Sequence, residues 1–256
     1  MRHIRFFAAC ACSVLAASCD QGTKPATPVE AQPIEAPRGS VMPDAVEPLS
    51  ADQLTALAFR AAWGAPPPIE RNETIDGQAE HRTYRSGKLV PLDGDRFAFI
   101  SEGQGGEGHV SAGSLSIHYL KRTANGFERV GSWPAFLISG TWGSPPEWKI
   151  HTDLTPSPTL VAEGGGTWQG YTCTWAHVVE LTPQRPVIRI DQIGLSYSDG
   201  GARVDGSSEG MEGVLLPGQK GKTMRVRYTG DVDVTVTYAK VGEVYDPVNL
   251  PELPGC

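Results

Sequence analysis

The sequence predicts an all-β domain, an antiparallel sandwich or barrel that carries one N-terminal amphipathic helix. Three observations support this. Beyond Gly64 the hydrophobic residues recur with period two, the apolar runs are short, and Gly-, Asn- and Asp-rich turns separate them without intervening helices.

The helix is signalled by its ends. Ser50 is placed to cap it, and Gln53 three residues on completes a capping box. Leu54, Leu57, Ala58 and Ala61 then recur at helical spacing and predict the stripe that packs on the sheet. Gly64 and Pro66-Pro67-Pro68 stop the helix. The strands follow. Leu115, Ile117 and Tyr119 alternate with Ser116 and His118, Met224, Val226 and Tyr228 with Arg225 and Arg227, and Val232, Val234 and Val236 with Asp233 and Thr235. Each run predicts a strand with one buried face. The expected turns are Asp93-Gly94-Asp95, Asn125-Gly126, Asp199-Gly200-Gly201 and Thr229-Gly230-Asp231. Gly140-Thr141-Trp142-Gly143 is echoed at Gly166-Thr167-Trp168-Gln169, a repetition too short to define a repeat architecture.

Arg2 and Arg5 precede an apolar stretch of about ten residues from Phe6 to Leu15, and Ala16-Ala17-Ser18 leads to Cys19. A spanning helix needs roughly 20 apolar residues, so this pattern is a leader rather than a membrane span. Ala16-Ala17-Ser18-Cys19 resembles the lipobox of bacterial lipoproteins. It departs from that pattern in having Ala16 where a large aliphatic residue is usual, with Leu15 one place earlier. The resemblance covers residues 1–20 only. It implies cleavage after Ser18, acylation of Cys19 (palmitate-type chains) and a protein held at a membrane, facing the periplasm. Asp20 resembles the inner-membrane retention signal of enteric bacteria, a weak lean to the inner over the outer membrane.

Residues 19–48 are rich in Pro, Ala and Glu and poor in large apolar side chains. Such a segment cannot bury enough surface to offset its ordering entropy, so it reads as a tether. Residues 49–256 then form the expected single β-domain. Losing Arg2 and Arg5 with the leader moves the formal net charge from −7 to −9. With no Lys/Arg-rich run, nucleic acid is excluded as the expected partner. Cys173 and Cys256 remain in the domain, and an isolated pair in an oxidising compartment predicts a disulfide.

Five of the six tryptophans fall between Trp133 and Trp175. Indoles at strand ends can form an amphipathic platform for a sugar ring or a peptide. Trp142, Trp148, Trp168 and Trp175, with Glu147 and His151 as polar partners, are therefore the candidate ligand-binding residues; Lys149, Asp153 and Gln169 lie close by. The alternative is that these rings fill the core.

Other motifs carry less. Gly206-Ser207-Ser208-Glu209-Gly210 matches the G-x-S-x-G pattern but lacks the flanking strand and helix that expose a nucleophile. Gly103, Gly105 and Gly108 fit G-x-G-x-x-G, but no helix pattern follows to hold a pyrophosphate. His81, His109, His118, His151 and His177 are scattered without metal-ligand spacing, so no metal and no cofactor is expected.

Three functions remain open. The first is a non-catalytic envelope lipoprotein whose β-domain binds a cell-wall glycan, a peptide or another envelope protein. The second is a cell-wall or polysaccharide hydrolase using carboxylates such as Glu147 with Asp153 or Glu163. The third is a structural or assembly lipoprotein without a small-ligand site, which predicts an exposed apolar patch.

Overall fold

The computed structural model describes residues 49–75, 77–108 and 111–256. The leader, Cys19 with its neighbour Asp20, and the tether over residues 19–48 lie outside the described residues. Helix α1 (Ala51–Trp63) comes first. β1 (Ile69–Ile75), β2 (Gln78–Pro91), β3 (Arg96–Gln104), β4 (Gly113–Thr123) and β5 (Gly126–Ser139) then form one antiparallel meander. A second meander contains β6 (Glu147–His151), β7 (Thr159–Trp168), β8 (Tyr171–Leu181) and β9 (Pro186–Ser198). It continues through β10 (Gly210–Pro217), β11 (Thr223–Gly230), β12 (Val234–Val241) and β13 (Val244–Pro247). Over the described residues the fold is all-β and antiparallel with one helix, as the alternation and turn chemistry predict.

Strand alternation builds two cores from one strand. Leu160 and Ala162 of β7 pack with Ile100, Leu115, Ile117 and Leu137, which joins the two sheets face to face. Val161, between them, points the other way and meets Met211, Val226 and Val236. There the eight-stranded sheet curls over its own face as a half-barrel. β11 follows its sequence pattern, with Met224, Val226 and Tyr228 buried.

Two expectations need correction. Helix α1 has the predicted cap: Ser50 N–H donates to Gln53 Oε1 (2.8 Å), and Gln53 N–H donates to Ser50 Oγ (3.2 Å). Of the expected stripe, Ala58 is buried and Ala61 packs on the core, but Leu54 and Leu57 are only half-buried and the buried face is completed by Phe59, Ala62 and Trp63. The two aromatic residues offer more apolar area than the leucines, so the helix rolls to bury them against Tyr84, Phe99 and Leu120. β4 was expected to have one buried face and is buried on both. Ser114, Ser116 and His118 lie between the sheet and the helix segment, while Leu115 and Ile117 face the second sheet.

The polar layer under α1 is nearly sealed. Trp63 Nε1 donates to Ser101 Oγ (3.1 Å), and His118 meets Trp63 edge-on at 4.6 Å between ring centroids. His118 Nδ1 pairs with Ser132 Oγ (3.0 Å), and its Nε2 has no partner among the described residues. Burial, with Arg129 and Arg71 adding repulsion, pushes the His118 pKa down to about 4 from 6.5. Burial also lowers His177, against the pull of Asp191. Between pH 6.5 and about 4 the unfolded chain therefore holds more protons than the folded one, so stability rises with pH across that window. His118 should therefore cost the folded state nothing above pH 6.5 and destabilise it by up to about 3 kcal/mol as pH falls toward 4. Urea melts of the protein and of His118→Gln across this range check it; the same pH slope in both would remove the argument.

Candidate functional site

The tryptophan-rich segment does not assemble into one platform; strand geometry divides it. Trp133 sits at the inter-sheet core, edge-on to Tyr119 at 5.0 Å. Trp148 also packs on that core, donates from Nε1 to Glu102 Oε1 (2.8 Å) and lies 5.7 Å from Lys88 Nζ. Trp142 is 57% exposed in the β5–β6 connection, with a left-handed backbone (φ 54°) in a turn closed by Ser144 N–H to Thr141 O (3.0 Å). That turn is braced by the β3–β4 connection, where Gly105 N–H donates to Gly143 O and Gly143 N–H to Ser111 O, both at 2.8 Å.

Trp168 and Trp175 do come together. Their rings stack with centroids 5.9 Å apart and planes 16° from parallel. The local sequence explains why. β7 carries Gly164 and Gly166 on the face that Trp168 shares, and these lie opposite Trp175 and Cys173 of β8. A Cβ on Gly166 would sit 2.6 Å from Cη2 of Trp168, so only glycine lets that indole fold back along its own strand. The hairpin turns tightly through Gln169 (φ 51°) and Gly170 (φ 87°), the two positive φ values of a type I′ turn. Tyr171 then starts β8 and packs against Tyr197 at 6.3 Å.

A neighbouring loop supports this turn. Asp199 accepts from Glu209 N–H and from Arg203 Nε, both at 2.6 Å, and the first of these bonds is the main reason its pKa is lowered. Within that loop Ser207 donates to Asp205 Oδ1 (2.6 Å), and β10 follows rather than a helix, so the G-x-S-x-G match is a polar connection. The G-x-G-x-x-G match leads into β4 in the same way.

The result is a cavity of about 600 Å³ beside the stacked indoles, with Tyr171, Gln169 and Gln192 on its walls. Gly255 and Cys256 close another side, because the disulfide from Cys256 to Cys173 (Cα–Cα 6.2 Å) straps the segment after β13 onto β8.

Glu147 and His151, the polar partners expected for the tryptophans, are elsewhere. Glu147 is the register partner of Glu163 and lines a separate cavity of about 350 Å³ with Gly164, Gly165 and Thr174. Strand alternation puts Glu147 and Trp148 on opposite faces of β6, so the two cannot share a cleft. His151 lies 3.8 Å from Asp153. Among the described residues no group of three or more His, Cys, Asp or Glu is placed to hold a metal ion.

Sequence reasoning missed Tyr171 and Gln192. The spacing Gly166-x-Trp168 before Gln169-Gly170 is a usable signal for a folded-back indole at a tight hairpin, and it points to Tyr171. Gln192 had no signal, because it arrives from β9 through tertiary register. The sequence echo is not a structural repeat either. Gly140-Thr141-Trp142-Gly143 crosses from one sheet to the other, whereas Gly166-Thr167-Trp168-Gln169 turns a hairpin within one sheet.

Comparison with protein-family models, with curated proteins and with solved structures finds no match.

Proposed function

We propose that this protein is a membrane-anchored envelope lipoprotein whose β-domain binds a glycan, without catalysis, at the Trp168–Trp175 cavity. The observation that carries the reading is the stacked indole pair beside two primary amides, an apolar face with a few polar groups at its rim. The leader pattern ending at Cys19 supports the anchor. Among the described residues no helix is long and apolar enough to cross a membrane.

Each half of the reading has its own test. Cys19→Ala should abolish incorporation of labelled palmitate and move the protein from the membrane fraction to the soluble one; unchanged fractionation would argue against the anchor. For the site, tryptophan emission and iodide quenching are recorded with and without purified cell-wall fragments. Protection on addition is expected in the native protein, and Trp168→Ala or Trp175→Ala should weaken binding about tenfold or more. Binding indifferent to both substitutions would move the ligand elsewhere.

A hydrolase reading has one observation in its favour, the facing pair Glu147 and Glu163 at their own cavity. Release of reducing ends that disappears in Glu163→Gln would support it. An assembly role would draw instead on the exposed Val241, Val244, Val248 and Leu250 around β13.

A further inference from the structure

We infer that the Trp168–Trp175 cavity selects an uncharged saccharide over a carboxylated or phosphorylated one, held against a wall that the Cys173–Cys256 disulfide positions. This rests on the glycan reading above and names the ligand class within it.

Among the described residues the lining side chains are two indoles, a phenol and the amides of Gln169 and Gln192, and none is Asp, Glu, Lys, Arg or His. A primary amide both donates and accepts, which suits the mixed donor and acceptor character of sugar hydroxyls. An anionic group entering this cavity gives up hydration and finds no lining cation to pair with. The formal net charge, −7 for the whole sequence and −9 without the leader's Arg2 and Arg5, adds long-range repulsion of polyanions.

The rest of the lining comes from the segment after β13. Gly255 and Cys256 face the cavity, and Pro254 continues the same strap over Cys173 and Gln192. Beyond β13 the strap forms no strand ladder, and Leu253 is its contact with the core. Its position at the cavity therefore depends on the bond to Cys173.

The test titrates the full-length protein with hexamers of glucose, of N-acetylglucosamine and of galacturonic acid, followed by tryptophan emission and calorimetry at low and high ionic strength. At least one neutral hexamer should bind about tenfold tighter than the uronate. That preference should persist at high salt, where the long-range charge is screened. Gln192→Leu should weaken the neutral sugar about tenfold while leaving the thermal melt unchanged. The double variant Cys173→Ser/Cys256→Ser should weaken it as well. Uronate binding equal to or tighter than the neutral sugars, or a preference that vanishes in salt, overturns the inference and leaves the glycan reading standing. Failure of all three hexamers to bind overturns the glycan reading itself.

Discussion

Arg189→Ala is expected to destabilise the domain by about 3–5 kcal/mol, the usual cost of stranding a buried charge. Arg189 Nε donates to Glu180 Oε2 at 2.7 Å, and both residues are at most 5% exposed. Its Nη1 reaches the β12–β13 turn, donating to the backbone oxygen and to Oε2 of Glu243, each at 2.6 Å. Desolvation works against the guanidinium charge, but the bonds to Glu243 and Glu180 outweigh it and leave its pKa raised. The location makes the loss expensive. β9 is laddered to β10 only at Ser196–Ser198, and its earlier residues face β13 across a seam without strand pairing. Arg189 spans that seam. Removing it strands the Glu180 carboxylate, which among the described residues keeps only the Ser157 N–H (3.1 Å). Replacing both Glu180 and Arg189 with leucine should be far milder, since an apolar pair leaves no buried charge. Urea unfolding of the three proteins separates the effects. A cost below about 1 kcal/mol for Arg189→Ala would mean that water already reaches the seam.

Loss of the disulfide should be comparable in size. Cys173 and Cys256 are 83 residues apart in sequence, and the chain-entropy model assigns a closed loop of that length about 4.5 kcal/mol. Cys173→Ser/Cys256→Ser, or reduction of the native protein, should lower the melting temperature accordingly. The loss should also make Trp175 easier to quench, because the strap helps to enclose the cavities that Trp175 lines. The two readouts distinguish the bond's roles. A lower melting temperature with unchanged quenching would mean that Leu253 alone holds the strap in place. Unchanged melting with increased quenching would mean that the bond serves the cavity more than the fold.

Features that depend on local chemistry were legible in the sequence. The Ser50–Gln53 box needs only residues three apart, and the structure forms it. Asp93-Gly94-Asp95 closes β2 onto β3, with Leu92 N–H donating to Arg96 O at 2.9 Å. The period-two pattern of β11 states which residues are buried, because that strand has one wet face. The pairing of the two cysteines followed from their being alone together in the domain.

What sequence could not give is whatever depends on which surfaces meet. Nothing in β4 indicates that α1 will lie over Ser114, Ser116 and His118, so its second buried face was invisible. Likewise, five tryptophans close in sequence look like one cluster. A strand sends neighbouring residues to opposite faces, and a turn can carry the chain into another sheet, so nearness in sequence does not become nearness in space. By itself the sequence determined an all-β antiparallel domain, its capped helix and its disulfide, because periodicity, capping and cysteine count act through local geometry. Only the tertiary structure decided that Trp168 and Trp175 stack while Trp133 and Trp148 pack, half-buried, on the inter-sheet core. Strand register and sheet packing are set by the burial of the whole chain.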